Sequence, residues 1–90
     1  MDIPNALAAF DALGQPSRLT VFRLLVQTGE AGLAAGDIAL RLEMKPNTLS
    51  THLSILESAG LIAAERQGRS IRYFAQMEGL RGLMAWMLQD

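Results

Sequence analysis

Ninety residues, half of them hydrophobic, suffice for one domain over residues 1–90 with a thin core, and they leave more apolar surface than so small an interior needs. The absence of cysteine excludes a disulfide framework and a thiolate metal site. A formal net charge of −1 excludes a chain that is basic overall, so any affinity for a polyanion has to come from local clustering.

Residues 3–13 place Ile3, Ala6, Leu7, Phe10 and Leu13 at helical spacing, and Gly14 ends the run. Pro16 suits the first turn of a second helix. Leu19, Phe22, Leu25 and Val26 form its apolar stripe, which stops near Thr28 and Gly29. Residues 30–36 read as a loop rich in glycine and alanine. A short third helix, about residues 37–42, turns Ile38, Ala39 and Leu42 inward, and residues 43–45 make a tight turn.

The fourth helix is the clearest, over about residues 46–59. Pro46 opens it, Leu49, Leu53 and Leu56 recur at i, i+4 and i+7, and Gly60 stops it. At roughly 100° per residue, Asn47, Ser50, Thr51, Ser54 and Ser58 fall on the opposite side. Strands at residues 61–66 and 70–74 flank Gln67, Gly68 and Arg69, a hairpin signal. Helical spacing resumes from Met77 to Leu88. The expected fold class is mainly α with a β-hairpin, a winged helix-turn-helix in the order α-α-α-α-β-β-α.

Charge distribution adds what the total conceals. Between residues 41 and 73, five basic residues (Arg41, Lys45, Arg66, Arg69, Arg72) face three acidic ones, leaving that stretch at +2. The flanks, with three basic and six acidic residues, carry −3. A surface helix selected for stability alone favours Glu, Lys, Arg, Gln and Ala on its outer face. The fourth helix instead shows Asn, Ser and Thr, short donors and acceptors that let a helix approach base edges in a major groove. An ordinary polar face with capping by Asn47 or Thr48 is the other reading of the same residues. The hairpin after it, the wing at about residues 62–74, clusters Arg66, Arg69 and Arg72 where they can straddle a phosphate backbone, with Arg69 aimed at a minor groove. The expected DNA contacts are Lys45, Pro46, Asn47, Thr48, Ser50, Thr51, His52, Ser54, Arg66, Gln67, Arg69 and Arg72.

Four ordered motifs then make a resemblance specific. Leu13-Gly-Gln-Pro-Ser-Arg-Leu19 resembles the start of the second helix in ArsR-type repressors. Met44-Lys-Pro-Asn-Thr-Leu-Ser-Thr-His-Leu53 is similar to their recognition helix. Leu56-Glu-Ser-Ala-Gly-Leu-Ile62 and Arg66-Gln-Gly-Arg-Ser-Ile-Arg-Tyr73 resemble the segment after it and the wing. The match runs over about residues 6–88. It implies a symmetric homodimer held by the first and last helices, acting as a repressor on an inverted repeat in double-stranded DNA. The apolar residues agree with that independently, because the last helix is more apolar than one core-facing stripe requires. Ile3, Leu7, Phe10, Leu80, Leu83, Met84 and Met87 are the expected dimer interface.

The departures from the family concern sensing. Where metal-sensing members carry a C-x-C pattern, this chain has Ala34 and Gly36, and its last helix offers only Glu78 and Asp90 without His or Cys. No metal and no cofactor is therefore expected. His52 is expected to bond the backbone or help position DNA. A signal would come from an unidentified small molecule, a partner protein, a metalloid sensed by cysteines placed after Asp90, or from nothing at all.

One His, no Cys and no phosphate loop leave no nucleophile–base pair, so the chain is not expected to be an enzyme. The alternative is a winged-helix module that binds protein without DNA. No apolar run approaches the roughly 18 residues of a membrane span, and the first residues lack a basic leader. The expected location is cytoplasmic, away from any membrane.

Overall fold

The computed structural model describes residues 1–89, so the Asp90 named above lies outside the described residues. Helix α1 (Ile3–Leu13) starts where the Asp2 carboxylate accepts the Asn5 amide at 2.9 Å, with a proline in the first turn. Helix α2 (Pro16–Thr28) follows after two residues, its own N-terminus capped by the Gln15 side chain. Arg18 explains the motif at this junction. Its Nε donates to the Ala12 carbonyl at 2.8 Å and its Nη2 to Asp11 at 3.3 Å, placing a cation on the unpaired end of α1.

A 3₁₀ turn (Gly29–Ala31) leads to a two-residue strand β1 (Leu33–Ala34) and then helix α3 (Ala35–Leu42). The sequence predicts a loop here and a helix starting two residues later. Glu43 closes α3 in the left-handed region at φ 52°, and helix α4 (Pro46–Ser58) begins after Met44 and Lys45. Strands β2 (Ile62–Gln67) and β3 (Ser70–Ala75) form the hairpin, and helix α5 (Met77–Met87) ends the described fold. The sheet is antiparallel in the order β1-β3-β2, with Leu33 opposite Tyr73 and Ile62 opposite Ala75. It therefore has three strands, one more than the predicted hairpin. Gly32 makes room for the extra strand, since a Cβ there would collide with the Tyr73 carbonyl oxygen and the Phe74 ring.

The core gathers Val21, Phe22 and Leu25 from α2, Ile38 from α3, Leu49, Leu53 and Leu56 from α4, and Leu61 and Ile62 beyond it. Each such aliphatic side chain contributes about 1.5–3 kcal/mol on burial. Leu19 and Val26, predicted for the α2 stripe, are exposed, and Val21 takes their place inside.

Helix α1 departs most from expectation. Its buried side is Ala6, Ala9 and Ala12, whereas Ile3 and Leu7 are each 61% exposed and Phe10 also faces outward. Alanines let the helix backbone approach its neighbours closely, which turns the large side chains to solvent. Helix α5 divides similarly. Leu83 is 3% exposed and Leu80 and Trp86 pack against the core, while Met84 and Met87 are exposed. Leu83 is thus corrected from an interface residue to a core residue of its own subunit. Gly79 seats α5, since a Cβ there would collide with the Gly60 carbonyl oxygen.

Candidate nucleic-acid interface

Helix α4 presents two chemically opposite sides. Leu49, His52, Leu53 and Leu56 are buried, and Asn47, Thr48, Ser50, Thr51, Ser54 and Ser58 are exposed. The outward face is therefore uncharged and hydrogen-bonding from its first turn to Ser54. Lys45 occupies the N-cap with extended backbone and no side-chain cap, and neither Asn47 nor Thr48 caps the helix. The first-turn amides stay available beside the Lys45 ammonium, an arrangement that favours a phosphate. Pro46 removes one amide donor at the position where a helix has no internal use for it.

The hydroxyls on this face differ. Thr51 Oγ1 donates to the Asn47 carbonyl at 3.3 Å, which leaves its lone pairs and methyl group for an outside partner. Asn47, Ser50 and Ser54 make no such bond among the hydrogen bonds of the described residues, so both donor and acceptor remain for a base edge.

Two of the expected DNA contacts are corrected by the geometry. His52 is 9% exposed, and its Nδ1 is buried without a hydrogen-bond partner among the described residues. It sits inward with the leucines, and its Nδ1 neither bonds the backbone nor is open to an outside partner. Arg72 is half-buried and turned back on the protein. Its Nη1 donates to the carbonyls of Ala31 (3.1 Å) and Gly32 (3.2 Å), and its Nε donates to Gln67 Oε1 (3.3 Å). Arg72 is thus a strut between the 3₁₀ turn and the wing, and Gln67 is its second anchor. Burial and a bonding partner cannot be read from residue type, so sequence placed both residues with the exposed set.

Arg66 and Arg69 remain on the exposed wing. Gln67 pairs with Ser70, which leaves a two-residue turn of Gly68 and Arg69. Gly68 has φ 64° and Arg69 has no positive φ, the pattern of a type II′ hairpin that keeps the strands twisted together. The turn places Arg69, an exposed residue, at the tip of the hairpin. The positive charge beside this face comes from the exposed Lys45, Arg66 and Arg69.

Among the described residues, no three His, Cys, Asp or Glu side chains gather as a metal site, and no helix is long and apolar enough to cross a membrane. Ala34 and Gly36, at the positions of the C-x-C pattern, lie at the end of β1 and in the first turn of α3.

The helix-turn-helix domain family matches residues 13–64, from the end of α1 into the first half of β2. The chain is 34% identical over 79 residues to the transcriptional repressor SdpR of Bacillus subtilis, covering 88% of this chain and 84% of that protein. An ArsR-like transcriptional regulator from Rhodococcus sp. RHA1 superposes with a TM-score of 0.84 at 27% identity, over 93% of this chain and 76% of that one. A homodimeric winged helix-turn-helix DNA-binding domain from Mycobacterium bovis gives 0.78 at 27% identity, over 94% and 77%.

Proposed function

Because this chain belongs to the ArsR family of winged helix-turn-helix transcriptional regulators, we propose that it is a homodimeric repressor reading an inverted repeat in double-stranded DNA. The family makes it a DNA-binding regulator; the dimer, the operator and the sign of regulation are the proposal. Residues 1–90 act as one winged helix-turn-helix unit, in the cytoplasm, with no enzymatic step.

One observation carries this reading: α4, with an uncharged, hydrogen-bonding exposed face, packs against β2 of a wing with Arg69 in its turn. Asn47, Ser50 and Ser54 read base edges, with Thr51 as an acceptor and a methyl contact. Lys45, the Pro46 and Thr48 turn, Arg66 and Arg69 hold the phosphates and set the register. Each protomer contributes Ile3, Leu7, Phe10, Met84 and Met87 to the seam, an exposed apolar set on α1 and α5. A surface of that kind on a small chain is ordinarily covered by a partner, and the homodimeric Mycobacterium relative supports a second copy as that partner.

The test is selection of bound duplexes from a random pool, followed by titration of the recovered sequence at two salt concentrations. An inverted repeat is expected, with affinity falling roughly threefold to fourfold per phosphate contact between 50 and 200 mM salt. Enrichment of no sequence by a folded dimer would replace this reading with a protein-binding winged-helix module.

A further inference from the structure

An open groove of about 340 Å³ runs between the C-terminal end of α2, the 3₁₀ turn, the end of β3 and the start of α5. That volume lies in the range of small-ligand sites. None of its lining residues belongs to α4, to the wing turn or to the apolar set assigned to the dimer seam. Leu25 and Val26 form one wall, and Phe74, Ala75 and Met77 form the other. Among the described residues, Glu30 is the only charged residue in the lining, and no basic residue joins it.

We propose that this groove binds a small organic cation, an amine or quaternary ammonium on an apolar body, and that its occupancy loosens the wing. A lone carboxylate repels anions and favours a positive charge. The Phe74 ring adds the electrostatic attraction of an aromatic face for a cation. Met77 is an unbranched, polarisable side chain that fits bodies of different shape. The apolar walls supply the burial that an exposed carboxylate cannot supply alone.

The route to the wing is a short chain of contacts. The Phe74 ring that lines the groove packs on Gly32. The carbonyls of Gly32 and of Ala31, next to Glu30, hold Arg72, and Arg72 holds Gln67 of β2. A ligand that shifts Phe74 or the 3₁₀ turn therefore disturbs the strut at the root of the wing. The binding claim stands on the groove; the regulatory claim rests on the DNA-binding reading above.

The probes are 4-phenylbutylammonium, the neutral 4-phenylbutanol and the anionic 4-phenylbutyrate, titrated into the full chain by calorimetry without DNA. The cation is expected to bind once per chain and about fivefold more tightly than the alcohol, with the carboxylate weakest. Glu30→Gln, at an exposed position, should keep the melting temperature and abolish the preference of cation over alcohol. Absence of cation binding, or a preference that survives in Glu30→Gln, overturns the site whether or not the protein binds DNA. A second titration follows a fluorescent operator at constant ionic strength. Saturating cation should weaken binding by wild type about threefold, and the same loss in Glu30→Gln should need about fivefold more cation. An unaltered wild-type affinity overturns the coupling and leaves the site standing on the first measurement.

Discussion

Arg69 stands at the exposed tip of the wing turn, whereas Arg72 spends its guanidinium on Ala31, Gly32 and Gln67. The same truncation at the two positions should therefore separate binding from stability. Arg69→Ala should leave the urea midpoint in place, weaken binding to every sequence alike, and reduce the salt slope by about one per protomer. Arg72→Ala should lower stability by about 1 kcal/mol, because charge-assisted bonds at a half-exposed group are lost and two carbonyls lose their partner. A normal midpoint for Arg72→Ala would show that the strut is slack in solution. His52 gives a prediction of opposite sign. Its Nδ1 is buried without a partner among the described residues, and an unmet polar atom in the interior is destabilising by about 1–3 kcal/mol. His52→Leu, similar in volume and fully apolar, should raise stability by about 1 kcal/mol and leave DNA affinity unchanged. A loss of stability measured by urea denaturation would mean that the imidazole has a bond in solution.

The elements differ in how far their neighbours fix them, and α1 shows this best. Its alanine side is packed and its large side chains are free. Leu7→Glu should leave the monomer folded, within about 0.5 kcal/mol of wild type, while sedimentation shows a shift from dimer to monomer. Gly79→Ala should do the reverse. The added Cβ meets the Gly60 carbonyl, backbone against backbone, and should destabilise by about 1–3 kcal/mol, with any dimer loss secondary to unfolding. A Gly79→Ala protein as stable as wild type would show that α5 shifts freely on its seat.

The five helices and the hairpin were legible in the sequence, because apolar spacing, prolines at helix starts and Gly60 and Gly68 at turns are local signals. Strand β1 was not. Two residues, Leu33 and Ala34, have no period, and only their pairing with Tyr73 and Arg72 makes them a strand. Ile3, Leu7 and Phe10 were legible as an apolar face, but spacing alone cannot say whether such a face meets its own core or a second copy. Leu83 and Met84, adjacent in sequence and opposite in exposure, carry the same ambiguity. The polar face of α4 was readable because it contradicts helix propensity. The roles of His52 and Arg72 were not, because both depend on tertiary contacts.

At the scale of the whole molecule, the proposed repressor stands or falls on geometry between two copies. One chain extends 44 × 23 × 19 Å, a slender body with exposed polar side chains on α4 and the wing and exposed apolar ones on α1 and α5. Two chains joined through α1 and α5 hold their recognition helices at a fixed distance. A twofold dimer reads successive major grooves only if that distance is roughly one helical turn, about 34–36 Å or 10–10.5 base pairs. Lengthening the spacer of the selected inverted repeat by five base pairs rotates one half-site by about half a turn, to the opposite side of the duplex. The second protomer then cannot engage, and the gain from linking two half-sites, about 10²-fold or more, should disappear. Lengthening by ten base pairs restores the facing direction but doubles the separation, so affinity should stay low unless the duplex bends. The readout is operator affinity by fluorescence anisotropy for the native, +5 and +10 spacers, repeated with Leu7→Glu. The monomeric variant should bind all three duplexes equally and as weakly as wild type binds the +5 site. Equal, tight binding of wild type to all three spacers would mean that each protomer reads its half-site independently, and the apolar face of α1 would then serve another partner.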